Sequence, residues 1–315
     1  MARPVLVTGA AGFAGSHLVD LLVGESVNVV AWHRPGRSPR QQPHVTWAAV
    51  DLLDRMAVHD GLARVRPSVV YHCAGVADVG RSWERTESTF AVNVRGTHHV
   101  VEGLRHAGIE ARVLVPGSAT VYASTDRPIR EDDPLGPASP YALSKLAQEL
   151  VGAGNQDSPQ VLIARAFNHI GPRQDARFAA SAFAERIADA EAGRCPAELP
   201  VGNLDARRDL TDVRDTVRAY RAIVERGEPG RVYNVCSGRA IAIRSLLEML
   251  LSRARVPLRV QADPTRYRPI DVPLVVGDPQ RIQGELGWKA EIPLERTLDD
   301  LLEFWRTRHN PSLEP

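Results

Sequence analysis

Short apolar runs alternate with amphipathic stretches through the first half of the chain. Residues 4–8, centred on Val5, Leu6 and Val7, predict a buried strand, and residues 16–23 place Leu18, Leu21 and Leu22 on one helical face. Strands are predicted again at 27–32, 45–50, 68–72, 112–116 and 158–165, with helical spacing over 88–107 and from Tyr141 onward. Such alternation predicts an α/β fold, a doubly wound parallel sheet covered on both faces that binds ligands at the carboxyl ends of its strands. After Phe167 prolines and arginines become denser, and helical patterns at 179–192 and 244–253 are separated by loops. Residues 231–235 read as one more strand of the first sheet. Two units are therefore expected. One comprises residues 1–167 with about 211–239, and a smaller, discontinuous α/β unit comprises about 168–210 with 240–315.

Charge and composition exclude several classes. The 39 Lys and Arg against 38 Asp and Glu leave a net charge of +1, so no global field recruits nucleic acid or an anionic membrane. Aromatic residues make up 5% of the chain, too few for a base-stacking platform. Cys73, Cys195 and Cys236 show no metal-ligand spacing and read as reduced thiols, which predicts a cytoplasmic protein without a metal site. The apolar start at residues 5–7 runs straight into glycines, so neither a secretory segment nor a membrane span is expected.

Gly9, Gly12 and Gly15 stand three apart between the first strand and the first helix. Gly9 suits a tight turn, Gly12 a close backbone approach to a pyrophosphate, and Gly15 close packing of helix on strand. The N–H groups of Phe13 and Ala14 then open a helix whose dipole favours phosphate. A glycine-bearing turn without a ligand is the plainer alternative. At the end of the second strand an acidic residue would hold a free ribose 2′-hydroxyl, as NAD requires. This chain has His33, Arg34 and Arg37 there, and guanidinium groups pair with a 2′-phosphate. NADP(H) is therefore the expected coenzyme and NAD(H) the second choice, unless these arginines are only solvated. Asp51 and Leu52 suit the adenine ring, with a helix cap as the alternative for Asp51.

Tyr141 and Lys145 are four apart and share a helix face. A phenol with a pKa near ~10 is a poor acid–base group at neutral pH unless a neighbouring cation stabilises its anion. Lys145 would do so while also holding the nicotinamide ribose. Ser118, at a strand end, offers a hydroxyl to the oxygen on which charge changes. This set, with His72-Cys73-Ala74-Gly75 and Asn93-Val94-Arg95-Gly96-Thr97, resembles the extended branch of the short-chain dehydrogenase/reductase superfamily over nearly the whole chain. The resemblance implies a Rossmann domain and a smaller C-terminal domain for a nucleotide sugar. It places Ala74 and Gly75 beside the coenzyme, and has Asn93 support the sheet and the active-site helix, or else cap a loop.

The C-terminal segments sharpen the resemblance. Residues 165–172 resemble the family segment in which an asparagine contacts the sugar diphosphate, and residues 201–209 and 266–271, followed by 277–279 and 286–288, are similar to the group of GDP-mannose dehydratases and GDP-4-keto-6-deoxymannose reductases. That likeness implies contacts from Asn168 and Asn203 to the substrate, a diphosphate clamp by Arg208 and Arg268, and a ribose contact by Asp271. Structural ion pairs with nearby aspartates are the alternative for the two arginines. Dehydration needs a carboxylate beside the serine, and this chain has Thr120, another candidate substrate contact. The expected reaction is therefore NADPH-dependent reduction of the C4 ketone of GDP-4-keto-6-deoxy-D-mannose to a GDP-6-deoxyhexose, GDP-D-rhamnose first. Residues 118–122 also resemble UDP-galactose 4-epimerases, which makes 4-epimerisation the alternative. A non-catalytic NADP-sensing module is the third, disfavoured because Tyr141 and Lys145 are both kept. A homodimer through helices 88–107 and 141–152 is expected by likeness, though their apolar faces would serve equally as core.

Overall fold

A computed structural model describes residues 3–36, 41–153, 159–267 and 272–308. Its central sheet is built from β1 (Val5–Thr8), β2 (Val29–His33), β3 (Val45–Ala49), β4 (Val69–His72), β5 (Arg112–Ser118), β6 (Gln160–Ala166) and β10 (Val232–Val235). All seven run parallel in the order β3-β2-β1-β4-β5-β6-β10. Between them lie α1 (Phe13–Gly24), α2 (Arg55–Val65), α3 (Thr86–Phe90), α4 (Gly96–His106), α5 (Pro140–Ala153) and α7 (Val213–Arg226). The strands read as unbroken apolar runs because both faces are covered. Leu6, Val70, Val113 and Ile163 join Leu62 and Leu104 of α2 and α4. Their neighbours Val7, Tyr71, Leu114 and Leu162 point the other way, against Leu18 and Leu22 of α1 and Ile223 of α7. Each such side chain contributes about 1.5–3 kcal/mol by leaving water.

The remaining elements form a second packing centre. They are β7 (Asn168–Ile170), α6 (Ala179–Glu191), β8 (Glu198–Val201), β9 (Arg207–Asp212), β11 (Ala240–Ala242), α8 (Ile243–Leu251), β12 (Arg259–Ala262), β13 (Leu274–Val275) and α10 (Leu294–Arg308), while α9 (Gln280–Leu286) packs Ile282 and Leu286 into the first core. Phe183, Ile187, Leu246, Leu250, Leu298, Leu301 and Trp305 fill the space between α6, α8 and α10. β9 pairs with β7, β11 and β13, and so reaches from the central sheet's rim into this part. No helix among the described residues is long and apolar enough to cross a membrane.

The α/β alternation expected from the pattern is present, with strand ends shifted by one or two residues. The predicted helix over 88–107 is different. It divides into α3, a single π-helical turn at Ala91–Arg95, and α4. The extra residue in that turn lets Asn93 face fully inward, and such turns gather at functional sites. Helices α2, α7 and α10 lie outside the elements read from the pattern. In α7 the buried stripe of Val213, Val217, Tyr220 and Val224 recurs at helical spacing with paired arginines on the solvent face, so its amphipathic signal is present in the linear chain.

Candidate functional site

The chain leaves β1 on Gly9, whose φ of +64° is left-handed. A Cβ there would lie 2.6 Å from the Cα of Ala74, so the turn is pressed against the backbone leaving β4. A Cβ on Gly15 would lie 2.3 Å from the Gly9 carbonyl oxygen. Gly12 is exposed and starts α1 in an extended conformation, with no side-chain cap and no acidic residue in the first turn. The first-turn N–H groups of Phe13, Ala14 and Gly15 thus form a cradle that a side chain at Gly12 would crowd. This arrangement fits the diphosphate of a dinucleotide. Ala74 donates its N–H to Thr8 Oγ1 at 3.3 Å, and the exposed Gly75 lies beside the Asn93 amide.

Next along the carboxyl edge, His33 ends β2 and its Nδ1–H donates to the Arg34 carbonyl at 3.1 Å. The Arg34 side chain is exposed, and no described residue bonds it. Arg37 lies outside the described residues. Asp51 is exposed and accepts from the Leu53 N–H at 2.9 Å, while the cap of α2 is Asp54, which accepts from Ala57 at 3.0 Å. Asp51 therefore shapes the turn before the helix and does not cap it. The Leu52 carbonyl accepts from His99 Nδ1 at 2.8 Å.

Ser118 is the last residue of β5, and α5 starts beside it with Ser139 Oγ accepting from the Ala142 N–H at 3.1 Å. One turn apart on α5, Tyr141 and Lys145 are both buried. Burial pushes the Tyr141 phenol above its ordinary value, and a hydrogen bond with Ser118 partly opposes this. Burial lowers the Lys145 ammonium to about 8, against the pull of Glu149 and Cys73. The phenol therefore holds its proton, and Lys145 stands one helical turn from it on the same face of α5. Ser118 Oγ and Thr120 Oγ1 are 2.9 Å apart, and Thr120 is exposed. No carboxylate occupies that position.

Asn93 is no loop cap. It lies inside the helical turn, where its Oδ1 accepts from the Val76 N–H at 2.8 Å. Its Nδ2 donates to Ser144 Oγ of α5 at 2.9 Å. It thus ties the loop after β4 to the helix that carries Tyr141. Beneath α5, Arg165 of β6 grips Glu149 with Nη2–Oε2 at 2.8 Å and Nε–Oε2 at 3.0 Å, both side chains buried. Gly117 leaves room for this pair, because a Cβ there would lie 2.3 Å from Glu149 Oε1.

Of the expected substrate residues, Asn168 is exposed at the start of β7. The following segment lies on the dinucleotide helix. The His169 ring stacks on Phe13 with centroids 5.6 Å apart, and Arg173 bonds Asp20 of α1 at 2.6 Å. Asn168 is thereby brought to the mouth of the glycine-rich turn. Asn203 Oδ1 accepts from the Asp205 N–H at 3.0 Å. Arg208 in β9 donates to the Val272 carbonyl at 2.7 Å. Asp205 pairs with Arg244, and Asp209 is held by Ser237, Gly238 and Gly277. Arg268 and Asp271 lie outside the described residues.

Known proteins share this arrangement. The family model described as GDP-mannose 4,6 dehydratase matches residues 6–301. The GDP-6-deoxy-D-mannose reductase of Pseudomonas aeruginosa is 34% identical over 319 residues, covering 98% of this chain and 99% of that protein. A solved structure of RMD from Pseudomonas aeruginosa complexed with NADPH superposes with a TM-score of 0.86 at 33% identity, covering 98% and 100% of the two chains. The UDP-glucose 4-epimerase of Mycolicibacterium smegmatis is 30% identical, covering 96% of this chain and 98% of that one. The match spans both packing centres and the glycine-rich turn alike, and the chain belongs to the GDP-mannose 4,6-dehydratase family of short-chain dehydrogenase/reductase-type enzymes, which use NAD(P).

Proposed function

We propose that this enzyme reduces the C4 ketone of GDP-4-keto-6-deoxy-D-mannose with NADPH, giving a GDP-6-deoxyhexose, GDP-D-rhamnose first. The observation that carries the reading is the constellation of Ser118, Tyr141 and Lys145 with a threonine, Thr120, where dehydration needs a carboxylate. The 34% identity to a GDP-6-deoxy-D-mannose reductase supports it. Phe13, Ala14 and Gly15 hold the coenzyme diphosphate, and Arg34 with His33 takes the 2′-phosphate. Bound there, the reduced nicotinamide supplies the hydride. Ser118 donates to the ketone oxygen, and Tyr141 Oη gives its proton to the alkoxide that forms at C4. Lys145 stabilises the phenolate left behind and holds the ribose. Asn168, Asn203 and Arg208, on residues 168–210, face the nucleotide sugar in this reading, with residues 240–315 completing that unit.

Supplying the ketosugar with NADPH should consume absorbance at the NADPH band and yield a GDP-6-deoxyhexose resolvable by chromatography. NADH should serve less well, and Arg34→Ala should narrow the gap between the two coenzymes by about tenfold, the loss expected of one charge-assisted phosphate contact. No consumption with any GDP-ketosugar would sink the reading. Interconversion of C4 epimers without added reductant would favour 4-epimerisation, which the 30% identity to a UDP-glucose 4-epimerase keeps as a second reading.

The outer face of α5 exposes Leu143 by 48% and Leu150 by 65%, seven residues apart on one side of the helix. We take this face, with α4 beside it, for a homodimer contact. Sedimentation should give a dimer that Leu150→Glu converts to monomer; a wild-type monomer refutes the assignment.

A further inference from the structure

Behind Lys145 a chain of directed hydrogen bonds runs to the strand that carries the dinucleotide turn. Lys145 Nζ donates to Gln148 Oε1. An ammonium only donates, so the amide oxygen faces it and Gln148 Nε2 donates onward to Thr97 Oγ1 at 2.9 Å. Thr97 gives its own proton to the Asn93 carbonyl at 2.7 Å and can only accept from its other neighbours. His72 Nε2, 3.0 Å away, therefore carries the ring proton. His72 Nδ1 then accepts from the Thr8 hydroxyl at 2.9 Å, and Thr8 Oγ1 accepts from the Ala74 N–H. Each proton has one assignment, and Thr8, His72, Thr97, Lys145 and Gln148 are all buried.

We infer that Gln148 is a positioning residue for Lys145: its amide, held in one orientation by Thr97 and His72, supplies the ammonium with an acceptor inside the protein and aims its other donors at the coenzyme. The inference rests on the reading of Lys145 as the coenzyme-holding cation. Other groups facing Lys145 cannot take this part. Glu149, one turn along α5, is gripped by Arg165 of β6. Cys73, just after β4, keeps its proton, since burial pushes the thiol up to about 12. His72 of β4 stays neutral, lowered to about 3 by burial and then by the Lys145 charge. The Tyr141 phenol holds its proton as well. Gln148 thus supports the charged form of Lys145 against burial without cancelling its charge. A carboxylate there would cancel it and spoil its effect on the phenol.

NADPH binding, followed by protein fluorescence across pH 6–10 without any sugar, tests this. Loss of the acceptor disfavours the ammonium, so its titration moves to lower pH. In Gln148→Leu the pH at which NADPH affinity falls should drop by about one unit, leaving affinity about fivefold weaker than wild type at the wild-type midpoint. In Gln148→Glu, which fills the same volume, the midpoint should rise above that of wild type. An unchanged midpoint in both variants, or a Gln148→Leu loss that is uniform across pH, overturns the inference. Wild-type binding with this pH dependence but no reduction of GDP-ketosugars would defeat the proposed reaction and leave the role of Gln148 standing.

Discussion

Tyr141→Phe is expected to lower kcat for ketosugar reduction about a thousandfold while leaving the affinity for NADPH within a few-fold of wild type. General-acid catalysis by a placed side chain contributes about 10²–10⁴. The substitution removes only the hydroxyl from a ring that is buried and keeps its packing. The neighbouring hydroxyls of Ser118 and Thr120 are much weaker acids than a phenol and do not replace the proton. A pH series adds a second criterion. In the reductive direction the phenol must be protonated, so wild-type activity falls as pH rises through the phenol's value in the ternary complex. The residual activity of Tyr141→Phe should lack that fall. A variant that retains a tenth or more of wild-type kcat would remove Tyr141 from the role of proton donor.

The second large effect concerns stability. Glu149→Ala should destabilise the protein by about 3–5 kcal/mol, because the Arg165 guanidinium is left buried without its carboxylate. The pair's side chains are 3% and 7% exposed, and Arg165 also lies 4.7 Å from the centroid of the Tyr122 ring, so the cation has no path to water. Thermal unfolding should shift down by roughly 10 °C. Replacing both partners at once, with Glu149→Leu and Arg165→Met, should recover much of the loss, since two apolar groups carry no unpaired charge. A single variant as stable as wild type, or a double variant worse than the single, would contradict this account. The pair also stiffens the floor under α5, because Glu149 is one turn beyond Lys145. Some loss of kcat is therefore expected alongside the loss of stability.

Much of the molecule was legible in the linear chain. β1, β4, β5 and β6 show as apolar runs because a doubly covered strand must be apolar at consecutive positions. The turn after β1 shows because Gly9 needs a left-handed φ and Gly15 has no room for a Cβ, demands that only glycine meets. The Tyr141–Lys145 spacing is visible because one helical turn brings the two onto one face. The helical spacing of α7 was legible as well, but the π-helical turn around Asn93 was not. One residue added within a turn leaves no periodic signature that a short window can separate from its surroundings.

The α/β class, the dinucleotide turn and the candidate acid and cation can be read along the linear chain, because each depends on local backbone demands or on spacing within one element. What surrounds them comes from the packing of distant elements. Thr8, His72, Thr97 and Gln148 come from two strands and two helices, and their hydrogen-bond order exists only once those elements are packed. The same holds for Arg165 under Glu149 and for His169 over Phe13. Burial, and with it the lowered ammonium of Lys145 and the raised phenol of Tyr141, is a property of the assembled core, which no spacing of residues along the chain encodes.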